Sequence, residues 1–126
     1  MANRILIVED DIDYREPMAV ALLGVGFVVV TATDGAEALE RMRNDAAGVD
    51  AIVLDLVLPE VSGWEFFRLA REDVRFAIIP VIATTSVGGT RVIPDGVVLL
   101  RKPYTTAQLV RELHAALRRK KPPPKR

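Results

Sequence analysis

Short apolar runs recur along the chain, and most of them end abruptly in polar residues. Residues 5–8 are wholly apolar and stop at Glu9, Asp10 and Asp11. So short a run without polar alternation suits a strand buried on both faces, as in a parallel sheet. Residues 14–23 then set Tyr14, Met18, Ala21 and Leu22 at helical spacing. Pro17 is expected in the first turn of that helix, where its missing N–H costs little, and Gly24 and Gly26 end it. Residues 27–31, aromatic and β-branched, predict a second strand. Asp34 and Glu37 read as a capping box for a helix through Ala38, Leu39 and Met42 that fades at Asn44 and Asp45. Residues 51–54 predict a third strand, which delivers Asp55 at its C-terminal end. Ser62 and Glu65 open a helix to about Glu72 with Trp64, Phe67 and Leu69 along it, and Trp64 and Phe67 read as core. Residues 76–84 and 97–100 are the fourth and fifth strands. Thr105 or Thr106 starts a last helix through Leu109, Val110, Leu113, Ala116 and Leu117.

Strands alternating with helices at this spacing predict an α/β fold, a doubly wound five-stranded parallel sheet in the order 2-1-3-4-5. Such sheets bind ligands beyond the C-terminal ends of the strands that flank the order reversal, here the first and third. Glu9, Asp10 and Asp55 lie at those two ends, although Asp10 and Asp55 are 45 residues apart in the chain.

Composition narrows the possibilities. The 126 residues suit one domain, over residues 3–118, and half are hydrophobic, enough for a core without disulfides or structural metal. Cysteine is absent, which excludes thiol catalysis and cysteine-ligated zinc. The N-terminus meets acids at Glu9 before a signal-peptide core could develop, and no apolar run nears the roughly 20 residues of a membrane span. The expected compartment is the cytoplasm. Net charge is zero, yet all 17 acids precede Arg118 while six of the 17 basic residues lie from there on. Residues 119–126, basic and proline-rich, read as a disordered tail solvated on its own, and nucleic acid is not expected as a partner.

Clustered carboxylates repel one another and are costly to bury, and only Lys102 stands at another strand's C-terminal end to offset them. A divalent cation resolves the conflict. Mg²⁺ takes a few carboxylate oxygens and keeps several waters, so Asp10 and Asp55 are the expected direct ligands. Glu9 would reach through water, and the Val57 backbone carbonyl could add an oxygen. A carboxylate beside Mg²⁺ can also be a nucleophile toward a phosphoryl donor. The transferred group needs positive charge and donors around it, which Lys102 and the Thr85 hydroxyl would supply. Lys102–Pro103 is a candidate cis bond.

The runs Ile-Leu-Ile-Val-Glu-Asp-Asp (5–11), Asp-Leu-Val-Leu-Pro-Glu-Val-Ser-Gly (55–63), Pro-Val-Ile-Ala-Thr-Thr-Ser (80–86) and Arg-Lys-Pro (101–103) together resemble response-regulator receiver domains, of flavodoxin-like fold. The resemblance spans roughly residues 3–118. It implies that Glu9 and Asp10 are the acidic pair, Asp55 the phosphoacceptor, Thr85 (rather than Thr84) the switch hydroxyl and Lys102 the phosphate-contacting lysine. Pro59 and Gly63 match the loop after the phosphoacceptor. It further implies a phosphoryl group received from a sensor histidine kinase or a phosphotransfer protein, and a switch in protein contacts toward an unidentified target. The chain is then not an enzyme in its own right, although it assists its own Mg²⁺-dependent phosphorylation and dephosphorylation. Phosphatases of the haloacid dehalogenase type need a second aspartate where Val57 stands, and a dinucleotide fold needs glycines where the acids stand. A receiver-like interaction module that is never phosphorylated is the remaining alternative. His114, on the last helix, reads as surface or packing, and Asp11 as a helix cap.

Two features depart from the family. Only 16 residues separate Thr85 from Lys102, and residues 86–96 contain three glycines and Pro94. The crossover helix between the fourth and fifth strands is therefore expected to be missing or reduced, replaced by a loop anchored by Val92 and Ile93. Leu99 stands where similar domains carry a switching aromatic ring, so output is expected from ordering of the 86–96 loop instead. Val57 and Val87, apolar beside the site, should orient a hydrolytic water poorly and so slow loss of the phosphoryl group.

Overall fold

The computed structural model describes residues 2–44, 48–56, 62–86 and 97–119. Its elements run β1 (Arg4–Val8), α1 (Ile12–Val25), β2 (Val28–Ala32), α2 (Gly35–Asn44), β3 (Ala51–Asp55), α3 (Gly63–Glu72), β4 (Val81–Thr85), β5 (Val97–Arg101) and α4 (Thr106–Arg119). The five strands form one sheet in the order β2-β1-β3-β4-β5, every pairing parallel, as the apolar runs predict.

Alternation along each strand sorts the core into two layers. Leu6, Val8, Ile52, Leu54, Val81 and Ala83 face α2 and α3, where Leu39, Met42, Phe66 and Ala70 cover them. Ile5, Ile7, Ala51, Val53 and Ile82 face α1 and α4, against Met18, Leu22, Leu109 and Leu113. Glu9 and Asp55 continue the second set, one step past Ile7 and Val53 in the same parity.

Helix ends follow local chemistry. Asp11 caps α1, its carboxylate accepting the Asp13 N–H at 2.9 Å. That start lies earlier than the spacing of apolar residues suggests, so Pro17 sits in the second turn rather than the first, and Gly24 stays inside the helix. Gly26 alone ends it, at φ 107°, a left-handed conformation that glycine adopts without strain. Asp34 accepts the Glu37 N–H at 2.8 Å, but the Glu37 carboxylate returns to the Thr33 N–H at 2.6 Å, one residue before the expected partner. Ser62 caps α3 through the Glu65 N–H at 3.1 Å. Of the two threonines before α4 it is Thr105 that caps, exchanging bonds with Gln108 at 3.1 and 2.8 Å.

Two expectations need correction. The fourth strand begins at Val81, not at residue 76, because residues 76–79 are held in turns by bonds from the Phe76 and Ala77 N–H groups to the Asp73 carbonyl (both 2.9 Å). Phe76 and Ile79 are nevertheless buried, which explains their apolar character. In α3 the fully buried ring is Phe66, while Trp64 and Phe67 pack half-buried at the margin of the same core. The expected loss of the crossover helix falls on residues 87–96, and the expected tail on residues 120–126. Both segments lie outside the described residues.

Gly63 opens α3 directly against the strand that carries Asp55. A Cβ there would stand 2.3 Å from the Asp55 carbonyl oxygen and 2.5 Å from the Leu56 Cα. Backbone on both sides cannot yield as a flexible side chain would. Gly63→Ala is expected to cost ~1–3 kcal/mol in urea unfolding. A loss below ~0.5 kcal/mol, the size of an ordinary surface substitution, would contradict so tight an approach.

Candidate functional site

Three backbone bonds carry the ladder beyond the strand ends and fix the residues placed there. The Glu9 N–H donates to the Ala32 carbonyl (3.0 Å), the Leu56 N–H to Thr84 (3.0 Å) and the Lys102 N–H to Thr85 (2.9 Å). In register, Val8 pairs with Leu54 and Asp55 with Thr84. Glu9 therefore emerges beside Asp55, and Lys102 one residue beyond the Thr85–Arg101 pair. The Lys102–Pro103 bond is cis, as expected.

The side chains converge. Lys102 Nζ stands 2.7 Å from Glu9 Oε1 and 3.5 Å from Asp55 Oδ2. All three groups are nearly buried, with Glu9 only 1% exposed. Asp10 is exposed at the rim. The N-terminal turn of α1 braces the acidic end of β1. The Asp11 N–H donates to Glu9 Oε2 at 3.2 Å, and Arg15 Nη1 reaches the Glu9 and Asp10 carbonyls at 3.0 and 3.3 Å.

Burial pushes the Glu9 carboxyl up to about 7, and the neighbouring Asp55 adds to the rise while Lys102 opposes it. Burial would lower the Lys102 ammonium, but Glu9 and Asp55 outweigh it and hold the group above its usual value. The lysine thus stays charged at neutral pH, while Glu9 is poised to release a proton.

One carboxylate oxygen from each of Glu9, Asp10 and Asp55 lies within 4.8 Å of the others. Mg²⁺ holds its oxygens at about 2.1 Å, so no two direct ligands stand more than about 4.2 Å apart, and a set of this span suits direct contact by some of these oxygens and contact through water by the rest. Glu9, tied to Lys102, suits contact through water. The Val57 carbonyl, expected as a further oxygen, lies outside the described residues, as do Pro59 and Val87. Thr85 ends β4 at this same edge, 7% exposed. Its neighbour Thr84 is buried on the strand, its hydroxyl unpaired among the described residues. His114 is exposed and rests against Phe27, remote from the acids.

One contact lay beyond the motif reading. Lys102 Nζ lies over the Tyr14 ring, 4.2 Å from its centroid, and Tyr14 meets Tyr104 with centroids 6.0 Å apart. By spacing alone Tyr14 is one of the apolar positions of α1. Its place in the first turn, next to the acidic strand end, was the available signal.

A family model for the response regulator receiver domain matches residues 5–114. The chain is similar to the alkaline phosphatase synthesis transcriptional regulatory protein SphR of Synechococcus elongatus, 40% identical over 130 residues covering 94% of this chain and 50% of SphR. It is 34% identical to the DNA-binding response regulator MtrA of Mycolicibacterium smegmatis, over 98% of this chain and 54% of MtrA. The chain therefore spans about half the length of these relatives. Among solved structures it resembles the receiver domain of a sensor histidine kinase from Pseudomonas aeruginosa PAO1, described with a magnesium ion coordinated in its active site cleft. That likeness has a TM-score of 0.79 at 25% identity and covers 93% of this chain and 98% of that one. The names of SphR and MtrA weaken the expectation that nucleic acid is not a partner. Among the described residues no helix is long and apolar enough to cross a membrane.

The Glu9 carboxyl yields a test by pH. Between about 4.5, its ordinary value, and about 7, the folded state keeps a proton that the unfolded chain has lost. The contribution of Glu9 to the stability of the metal-free protein therefore falls as pH rises through that window. Urea unfolding should show this decline, and Glu9→Gln should flatten it. Equal pH slopes for the two proteins would contradict the raised value.

Proposed function

Because the chain belongs to the response-regulator receiver family of two-component signalling, we propose that it is a phosphoacceptor switch acting in the cytoplasm. Asp55 takes a phosphoryl group from a sensor histidine kinase or a phosphotransfer protein. The observation that carries this reading is the placement of Asp55 at the end of β3, its Oδ2 3.5 Å from the buried Lys102 ammonium and its carboxylate grouped with Glu9 and Asp10.

The chemistry follows from these positions. An Asp55 oxygen attacks the phosphorus of the donor's phosphohistidine, the P–O bond forms as the P–N bond breaks, and the imidazole leaves with a proton. Charge spreads over the three phosphoryl oxygens as this happens. Lys102 is held where it can meet one of them, and the Thr85 hydroxyl is offered to another. Asp10 and Asp55 would hold Mg²⁺ directly, with Glu9 through water and the Val57 carbonyl as a further oxygen. When bound, the cation neutralises charge on the carboxylates and the incoming group. Residues 86–96 follow Thr85 directly in sequence. We place the readout there, as a change in protein contacts, since Leu99 is a half-buried aliphatic residue on β5 and offers no ring to move.

Incubation with Mg²⁺ and acetyl phosphate, followed by intact mass measurement, tests this. The wild-type protein should gain one phosphoryl group and Asp55→Asn none. Lys102→Ala should slow the gain about a hundredfold, the usual effect of losing a group aimed at developing charge. A wild-type protein that gains nothing from acetyl phosphate or from a phosphorylated kinase would leave the interaction-module reading in its place.

A further inference from the structure

We propose that Tyr14 is a positioning residue for Lys102, holding its ammonium over the aromatic face so that it is aimed at the phosphoryl group on Asp55. This rests on the function proposed above and adds a residue to it.

The geometry is specific. An ammonium carries three N–H donors. Two partners of Lys102 are the Glu9 and Asp55 carboxylates at 2.7 and 3.5 Å, and the Tyr14 ring covers a further side at 4.2 Å. The negative face of an aromatic ring attracts a cation most strongly where water is excluded. The lysine side chain here is only 7% exposed.

A ring suits this place better than a third polar partner. Another carboxylate would repel the incoming phosphoryl group. A hydroxyl or amide could draw the lysine into a competing hydrogen bond. The π face attracts the ammonium with no net charge, so it can hold Lys102 while the phosphoryl oxygens approach. The local fold sets the ring in place. Asp11 starts α1 so that Tyr14 falls in its first turn, and the ring also makes a tilted contact with Tyr104, at the entry to α4. The phenol oxygen of Tyr14 has no part in this arrangement.

Tyr14 is half-buried and borders an open cleft of about 200 Å³ between α1 and α4, so leucine can replace it without overpacking. With Mg²⁺ and acetyl phosphate, Tyr14→Leu should be phosphorylated about fivefold more slowly than wild type, the effect of losing one cation–π contact. Tyr14→Phe, which keeps the ring, should restore the rate. In a Lys102→Ala background, Tyr14→Leu should cause no further loss, as coupling through the lysine requires. Independently of activity, the Lys102 Hε proton resonances should be shifted upfield by the ring in wild type and Tyr14→Phe, and return to ordinary values in Tyr14→Leu.

Wild-type speed in Tyr14→Leu would overturn the proposal. So would an equal loss in the Lys102→Ala background, or wild-type Hε resonances at ordinary positions. Failure of the wild-type protein to accept any phosphoryl group would instead overturn the function proposed above, with the resonances still reporting whether the ring holds the lysine.

Discussion

The C-terminal edge of this sheet is organised around one ammonium held between two buried carboxylates. Two carboxylates about 4 Å apart repel by about 4 kcal/mol at an effective dielectric of about 20. Few domains would keep Glu9 and Asp55 buried side by side without compensation. Lys102 supplies part of it, and the raised Glu9 carboxyl supplies more by keeping its proton up to about pH 7. The negative charge that remains suits a divalent cation. In the proposed function a bound cation would make the same edge receptive to a phosphoryl group.

The fold is built to deliver these groups to one point. Residues two apart on a strand share a face, so Glu9 follows Ile5 and Ile7, and Asp55 follows Ala51 and Val53, onto the α1 and α4 side. Parallel register then sets Glu9 beside Asp55 and carries Lys102 one step past β5. Backbone bonds to Ala32, Thr84 and Thr85 extend the ladder just far enough to hold them. Gly63 lets α3 begin in contact with the Asp55 peptide, and the α1 cap at Asp11 brings Tyr14 over the lysine. Each device is local. Together they bring Glu9, Asp55 and Lys102 within reach of one another.

Much of this could be read from the chain because strand ends announce themselves. Apolar runs that stop at Glu9, at Asp55 and at Arg101 just before Lys102 identify both the sheet and the edge where charge gathers, and Ser62 and Asp34 mark helix starts by their side-chain chemistry. Burial is a poorer guide to shape. Phe76 and Ile79 are buried from turns, so their apolar character extends the apparent fourth strand too far. Pro17 suggests a later helix start because a first-turn proline is the commonest arrangement, whereas here the Asp11 cap decides the boundary. The apolar positions of α3 do not distinguish Phe66 from Trp64 and Phe67, since all three touch the same core and only the helix's rotation separates them. Tyr14 is harder still. Its meaning depends on Lys102, 88 residues away in the chain, and only the folded sheet brings the two together.

Asp55, among the clustered acids, is the carboxylate proposed to accept the phosphoryl group. Borohydride reduces an acyl phosphate to the alcohol, which turns a phosphorylated aspartate into homoserine and leaves free carboxylates untouched. Peptide sequencing by mass spectrometry after phosphorylation and reduction should find homoserine at position 55. Homoserine at position 10 instead, or an adduct that yields homoserine at neither position, would contradict the account.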